Sequence, residues 1–150
     1  SVSGTLGSTA VTVTGSQAQG VDSGTDSITN IENVNGGGGN DIIVGSSGSN
    51  RLAGGTGSDT LDGGAGDDNV SGGDGGDSVL GGDGADVVDG GAGDDRLDGG
   101  IGNDTVLGGV GADSITGGDG NDSLSGGDGA EVFAFVFKRL NHIWIKLSSA

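Results

Sequence analysis

The chain of 150 residues contains no cysteine, proline, methionine or tyrosine, and its aromatic residues are three phenylalanines and one tryptophan. Without cysteine it can form no disulfide and offers no thiolate to a metal. So few aromatic side chains argue against a conventional mixed core. No apolar run reaches the ~18 residues of a membrane-spanning helix, and no signal peptide is recognisable. The single histidine, His142, leaves zinc-protease or triad chemistry without a base, so we expect no enzymatic activity.

Basic residues are also scarce. Five Lys and Arg stand against 22 Asp and Glu, which gives a net charge of -17. All of this excess lies within residues 36–134, because the charges of the two flanks cancel. Such a polyanion would repel nucleic acid, so the expected partner is a cation.

Glycine, in contrast, is abundant, with 39 residues. Residues 36–134 are one nine-residue unit, Gly-Gly-x-Gly-x-Asp-x-U-x, repeated eleven times without insertion, where U is a large apolar residue. The second position departs from Gly only at Ser46, and the sixth departs from Asp only at Asn50 and Glu131. The U positions are Ile43, Leu52, Leu61, Val70, Val79, Val88, Leu97, Val106, Ile115, Leu124 and Phe133. An apolar residue in every copy argues against a flexible Gly/Asp linker.

This unit resembles the RTX, or haemolysin-type, calcium-binding nonapeptide, which is typical of parallel β-helices. The resemblance covers residues 36–134, about two thirds of the chain. It implies a module of a secreted or cell-surface bacterial protein that interacts with the type I secretion machinery in transit. Because such repeats accompany toxins, proteases, lipases, epimerases, adhesins and surface-layer proteins, the repeat does not name the parent protein.

Each unit divides into a turn and a strand of about three residues, x-U-x, which can cross one side of a flattened coil. Two units therefore make one coil of 18 residues. The predicted fold is all-β, a right-handed parallel β-roll of about 5.5 coils with two short parallel sheets. Side chains alternate across a strand, so the U residues from Ile43 to Phe133 should form one thin core. The glycines at the first, second and fourth positions should provide positive φ and close approach between turns.

Three segments are predicted. Residues 1–35 form an irregular N-terminal cap, in which Asp26 precedes Asp41 by fifteen residues and is out of register. Residues 36–134 form the roll. Residues 135–150 change abruptly in composition, and three interpretations stay open: a hairpin cap, a type I secretion signal, or an artefactual or truncated tail. Since the chain starts with Ser1, we expect it to be a piece of a longer protein. We also expect the module to be monomeric.

The 18-residue period places the sixth-position residues on two edges of the roll. One edge carries Asp41, Asp59, Asp77, Asp95, Asp113 and Glu131, and the other carries Asn50, Asp68, Asp86, Asp104 and Asp122. Calcium takes six to eight oxygens at ~2.3–2.6 Å, and twice that distance nearly equals the ~4.8 Å coil spacing. An ion between successive turns would therefore touch both. Magnesium fits poorly, because it demands compact octahedral geometry.

The resemblance also implies the ligands of each site. The earlier turn would supply the carbonyls of its second and fourth positions. The turn 18 residues later would supply the carbonyls of its first and third positions, and each of the two turns would also supply its Asp side chain. On the first edge this gives Gly37 and Gly39 with Gly54 and Thr56, Gly55 and Gly57 with Gly72 and Asp74, Gly73 and Gly75 with Gly90 and Ala92, and Gly91 and Gly93 with Gly108 and Val110. On the second edge it gives Gly64 and Gly66 with Gly81 and Asp83, Gly82 and Gly84 with Gly99 and Ile101, and Gly100 and Gly102 with Gly117 and Asp119.

These gaps number seven, and the pairs Asn50–Asp68 and Asp113–Glu131 would raise the number of calcium ions to nine. Without calcium the stacked carboxylates repel one another, and one aliphatic residue per nine is a weak core. We therefore expect calcium binding to be the folding reaction. The leading hypothesis is a calcium-dependent folding module of a secreted protein. The alternatives are a structural or adhesive spacer of a surface protein and an accessory domain of a secreted hydrolase or epimerase.

Overall fold

The computed structural model of the protein describes residues 17–18, 27–134 and 144–145, and within these ranges every regular element is a β-strand. The strands are β1 (Gln17–Ala18), β2 (Ser27–Ile31), β3 (Asn33–Gly38), β4 (Ile42–Gly45), β5 (Arg51–Thr56), β6 (Thr60–Ala65), β7 (Asn69–Asp74), β8 (Ser78–Asp83), β9 (Val87–Ala92), β10 (Arg96–Ile101), β11 (Thr105–Val110), β12 (Ser114–Asp119), β13 (Ser123–Asp128), β14 (Val132–Ala134) and β15 (Trp144–Ile145). In these ranges no helix occurs that could cross a bilayer.

Odd and even strands separate into two sheets. The odd strands form an eight-stranded sheet in the order β1-β3-β5-β7-β9-β11-β13-β15, and the even strands form a seven-stranded sheet from β14 to β2. All pairs are parallel, and in the repeats each residue pairs with the one 18 positions later, as Val70 does with Val88. The chain thus winds as a solenoid of stacked 18-residue coils, about six turns in all. The predicted all-β roll with two parallel sheets is confirmed.

The strands are longer than the sequence predicts. Most run over six residues, from the seventh position of one unit to the third position of the next, as β7 does from Asn69 to Asp74. Pairing continues through the glycines, because Gly73 pairs with Gly91 and Asp74 with Ala92. The expected three-residue strand was too short because ladder hydrogen bonds join backbone groups and need no side chain.

The core is a single file of aliphatic side chains between the sheets. The U residues from Ile43 to Leu124 are all buried, and Val34, nine residues before Ile43, is buried with them. Phe133, which was expected inside, is only half-buried and packs against the end of the core. It belongs to β14, which is the last strand of the seven-stranded sheet among the described residues, so within them no further strand of this sheet covers it.

Glycine is required for different reasons at different positions of the turn. The second and fourth positions have positive φ, for example 118° at Gly73 and 136° at Gly75. The first position, expected to share this property, does not belong to the positive-φ set. A Cβ on Gly72 would instead lie 2.7 Å from the Gly90 carbonyl oxygen and overlap the Asp77 carboxylate. Close approach, not backbone conformation, therefore requires glycine at the first position.

The two ends of the stack depart from the regular register. β2 pairs with β4 at an offset of fifteen residues, from Ser27 to Ile42, while β3 already follows the 18-residue register from Asn33. At the other end β15 pairs with β13, with Trp144 opposite Ser123. The remaining predictions for residues 1–16, 19–26, 135–143 and 146–150 lie outside the described residues.

Candidate calcium centre

The sixth-position side chains form one buried ladder along each edge of the roll. The exposed fractions of the Asp and Asn residues lie between 1% and 8%, with the highest at Asp122, whereas Glu131 at the end of one ladder is half-buried. Each of these Asp residues from Asp59 onward accepts a hydrogen bond at Oδ1 from the backbone N–H of the sixth-position residue 18 places earlier, at 2.7–3.1 Å. One carboxylate oxygen is therefore fixed to the backbone of the preceding turn.

The second carboxylate oxygen of the ladder is buried and accepts no hydrogen bond. This holds for Oδ2 of Asp59, Asp68, Asp77, Asp86, Asp95, Asp104 and Asp113, and for Oε1 of Glu131. Buried polar oxygens are normally satisfied by a donor or a cation. Because the orphaned atom belongs to a carboxylate, burying it ionised and unpaired is strongly unfavourable. A row of such oxygens fits a row of cations.

The electrostatics of the metal-free ladder lead to the same conclusion. Burial raises the pKa of Asp68, Asp95 and Asp104 to about 6, against an opposing effect of the backbone hydrogen bond, and neighbouring carboxylates raise it further. Burial likewise raises the pKa of Asp59, Asp77, Asp86 and Asp113. The carboxylates are therefore held in a place where their negative charge is disfavoured until a positive charge accompanies it.

Carbonyl oxygens of the earlier turn point into the gap between turns. In the gap bounded by Asp59 and Asp77, a Cβ on Gly73 would overlap the carbonyl oxygen of Gly55. In the same way, a Cβ on Gly75 would overlap the carbonyl oxygen of Gly57. The second- and fourth-position carbonyls therefore face the following turn, as a shared ion would require.

Carbonyl oxygens of the later turn point back into the same gap. A Cβ on Gly54 would lie 2.7 Å from the Gly72 carbonyl oxygen. The Asp74 carbonyl accepts a hydrogen bond of 2.8 Å from the Gly57 N–H, which leaves its second lone pair for another partner. Four carbonyls and the two Asp side chains thus border one gap, and six oxygens is the lower limit of what calcium takes.

All seven predicted gaps have this arrangement. In each, the second- and fourth-position carbonyls face the turn 18 residues later, and the first- and third-position carbonyls of that turn face back. The gap between Asp113 and Glu131 has the four carbonyls too, with the longer Glu131 side chain folded against Gly126. The gap between Asn50 and Asp68 differs, because the turn of residues 45–50 has another conformation. Among the residues that the structure describes, no three His, Cys, Asp or Glu side chains converge, so any site here depends on carbonyls.

Fifth-position Asn and Asp residues provide a second link between turns, which the sequence reasoning missed. Their Oδ1 accepts a hydrogen bond from the backbone N–H of the residue 18 places later, as Asn40 does from Ser58 and Asp94 from Ala112. Asp67 and Asn103 make the same bond at 2.9 Å. Asx residues at this position of the unit were the available signal, since short polar side chains readily bond to nearby backbone.

Comparison with known proteins agrees with the geometry. The family model of the RTX calcium-binding nonapeptide repeat matches in four copies, at residues 35–70, 44–79, 71–106 and 98–132. No curated protein and no solved structure gives a significant match to the chain. The matched copies together span residues 35–132, well over half of the 150 residues. The chain therefore belongs to the RTX family and is a calcium-binding module built from its nonapeptide repeats.

Proposed function

We propose that this module is a non-catalytic domain of a secreted bacterial protein, and that it folds when calcium binds between its turns. The observation that carries the proposal is the row of buried Asp Oδ2 atoms without a hydrogen-bond donor. In the folded chain these atoms need positive charge, and the carbonyls that border the same gaps are further oxygen donors to a cation. Calcium supplies that charge and prefers this all-oxygen donor set.

The metal-free chain should be unfolded because its attractive forces are weak. The core is one residue wide, with one aliphatic side chain for every nine residues. Two terms oppose folding. The chain has 39 glycines, the least constrained residue when unfolded, so ordering it costs much conformational entropy, and folding also buries the carboxylates. When sites form only in the folded chain, the free energy of metal binding becomes free energy of folding.

The compartment in which the module folds follows from the calcium concentration that it needs. Extracellular calcium modules typically bind at ~10⁻⁴–10⁻³ M, far above the calcium available in cytosol. The module would then stay unfolded inside the cell, pass through the type I secretion machinery as an extended chain, and fold outside as a monomeric unit. RTX repeats are typical of secreted bacterial proteins, which supports this sequence of events.

A structural spacer in a large surface protein is the second candidate. The linear stack of coils, in which each strand pairs only with the strands one coil away, suits a rod that separates two other parts of a chain. Calcium would fold the rod in either case. Sequence adjoining this chain distinguishes the two, since repeated adhesive domains would favour the spacer.

Circular dichroism of residues 1–150 during a calcium titration tests the proposed function. We expect little β-structure in chelator, a cooperative gain in calcium, and almost none in magnesium at the same concentration. A chain already rich in β-structure in chelator, or one that magnesium folds equally well, would contradict the proposal.

A further inference from the structure

The turn of residues 45–50 departs from every other turn at two positions, with Ser46 in place of Gly and Asn50 in place of Asp. We propose that the side chains of Ser46 and Asn50 replace a calcium ion at this turn, so that the gap between turns 45–50 and 63–68 binds none. The inference rests on the proposed function of the other gaps.

Hydrogen bonds within the turn satisfy the atoms that remain unpaired elsewhere. Asn50 is buried, and its Oδ1 accepts the Ser46 backbone N–H at 2.6 Å. Its Nδ2 donates to Ser46 Oγ at 3.0 Å, and the same hydroxyl accepts the Gly48 N–H at 3.3 Å. Where Asp59 or Asp77 leaves a buried oxygen without a donor, Asn50 has both of its side-chain polar atoms paired. The amide also carries no charge that a cation would have to neutralise.

The backbone of this turn differs from that of the regular turns, and the difference takes a carbonyl oxygen out of the gap. Gly48, at the fourth position, is absent from the positive-φ glycines, and a Cβ there would meet nothing nearer than Ser46 Oγ at 4.0 Å. A Cβ on Gly66 would meet Cα and C of Gly48 and the nitrogen of Ser49, whereas at Gly84 the nearest atom is the carbonyl oxygen of the turn before. The Gly48 carbonyl is therefore turned away from the gap.

A second carbonyl of this gap, that of Ala65, lacks the hydrogen bond that its counterparts in the regular turns accept. In the regular turns the fourth-position N–H donates to the third-position carbonyl of the turn one coil later, as Gly57 does to Asp74. The Gly48 N–H bonds instead to Ser46 Oγ, so this link to the Ala65 carbonyl is replaced. The gap therefore has at most three carbonyls, those of Ser46, Gly63 and Ala65, and one carboxylate, that of Asp68. Each regular gap has four carbonyls and two carboxylates, and calcium takes six to eight oxygens.

The test counts calcium ions per chain by native mass spectrometry, with isothermal titration calorimetry as an independent count, on the 150-residue chain. Ser46→Gly with Asn50→Asp restores the regular unit, and we expect it to bind one more ion than the wild type. Asn50→Ala should leave the wild-type count unchanged. Asn121→Asp is the matched control, because it adds the same charge at an exposed fifth position and should not change the count.

Two results would overturn the inference: an unchanged count in the restored double variant, or the loss of one ion in Asn50→Ala. Should the double variant not fold, Asn50→Ala decides alone, since an unchanged count supports the exclusion and a loss refutes it. Failure of the proposed function looks different, because a wild-type chain that binds no calcium would show it before any variant is made.

Discussion

The backbone N–H of Asp59 donates to Oδ1 of Asp77, 18 residues later, at 2.8 Å, and the Asp77 N–H donates in the same way to Asp95. Each Asp thus takes part in two successive gaps, one towards the preceding turn and one towards the next. Ordering one turn positions a carboxylate for its neighbour as well. We expect calcium binding along an edge to be cooperative for this reason, with weaker binding at the ends, where one neighbour is missing.

Asp77→Asn should weaken calcium-induced folding because it removes one charge from two adjacent gaps. The calcium midpoint should rise by about tenfold, equivalent to ~1.4 kcal/mol, with fewer ions bound per chain. Circular dichroism gives the midpoint and native mass spectrometry the count. Asp74→Asn is the matched control on the same turn, since the Asp74 side chain is exposed and only its carbonyl borders the gap. Equal midpoints for the two variants would contradict the role of the buried ladder.

Val88→Asp should abolish calcium-induced folding, because it buries an unpaired charge in a core one residue wide. Val88 is 0% exposed, whereas its neighbour Val87 on the same strand is 38% exposed. Val87→Asp therefore makes the same chemical change on the solvent face and should fold at nearly the wild-type calcium concentration. Circular dichroism at saturating calcium compares them, and a folded Val88→Asp would mean that the U positions are not the core.

Gly73→Ala should destabilise the calcium-bound roll. Gly73 has φ of 118°, where an L-residue costs ~1–3 kcal/mol, and the added Cβ would overlap the Gly55 carbonyl. Gly48→Ala is the control, because its φ is not in this region and its Cβ would enter open space. Thermal unfolding in excess calcium should show a lower Tm for Gly73→Ala alone. A similar fall in both variants would contradict the prediction, because it would mean that the positive φ and the close carbonyl at Gly73 do not set the effect.

Acid should partly replace calcium in the metal-free chain. Burial raises the pKa of Asp68, Asp95 and Asp104 to about 6 in the folded coil, whereas an Asp in an unfolded chain titrates near ~3.9. A raised folded-state pKa means that the ionised group opposes folding at pH 7, and that this opposition disappears as the pH falls through about 6 towards 4.

We therefore expect more β-structure at pH 5 than at pH 7 in calcium-free buffer, measured by circular dichroism. Val88→Asp, which cannot form the core, should stay unfolded at both pH values and controls for a general effect of acid on the spectrum. Loss of β-structure on acidification of the wild type would contradict the prediction.

The nine-residue period determined most of this structure without help from distant contacts. A fixed spacing of apolar residues defines which side chains face inward, so Ile43 to Leu124 could be assigned to the core from the sequence. The same spacing assigned every sixth-position Asp to one of two edges, because two units make one coil. Repetition makes such inference possible, since each coil meets only copies of itself.

Only the tertiary structure decided what happens where the repetition ends or is interrupted. Val34 joins the core and Phe133 stays half-buried because burial at an end depends on which strands lie beyond it. The conformation of turn 45–50 follows from hydrogen bonds between Ser46, Gly48 and Asn50, whose geometry no spacing rule contains. The local unit fixes the regular coil, whereas the exceptions depend on atoms brought together by the fold.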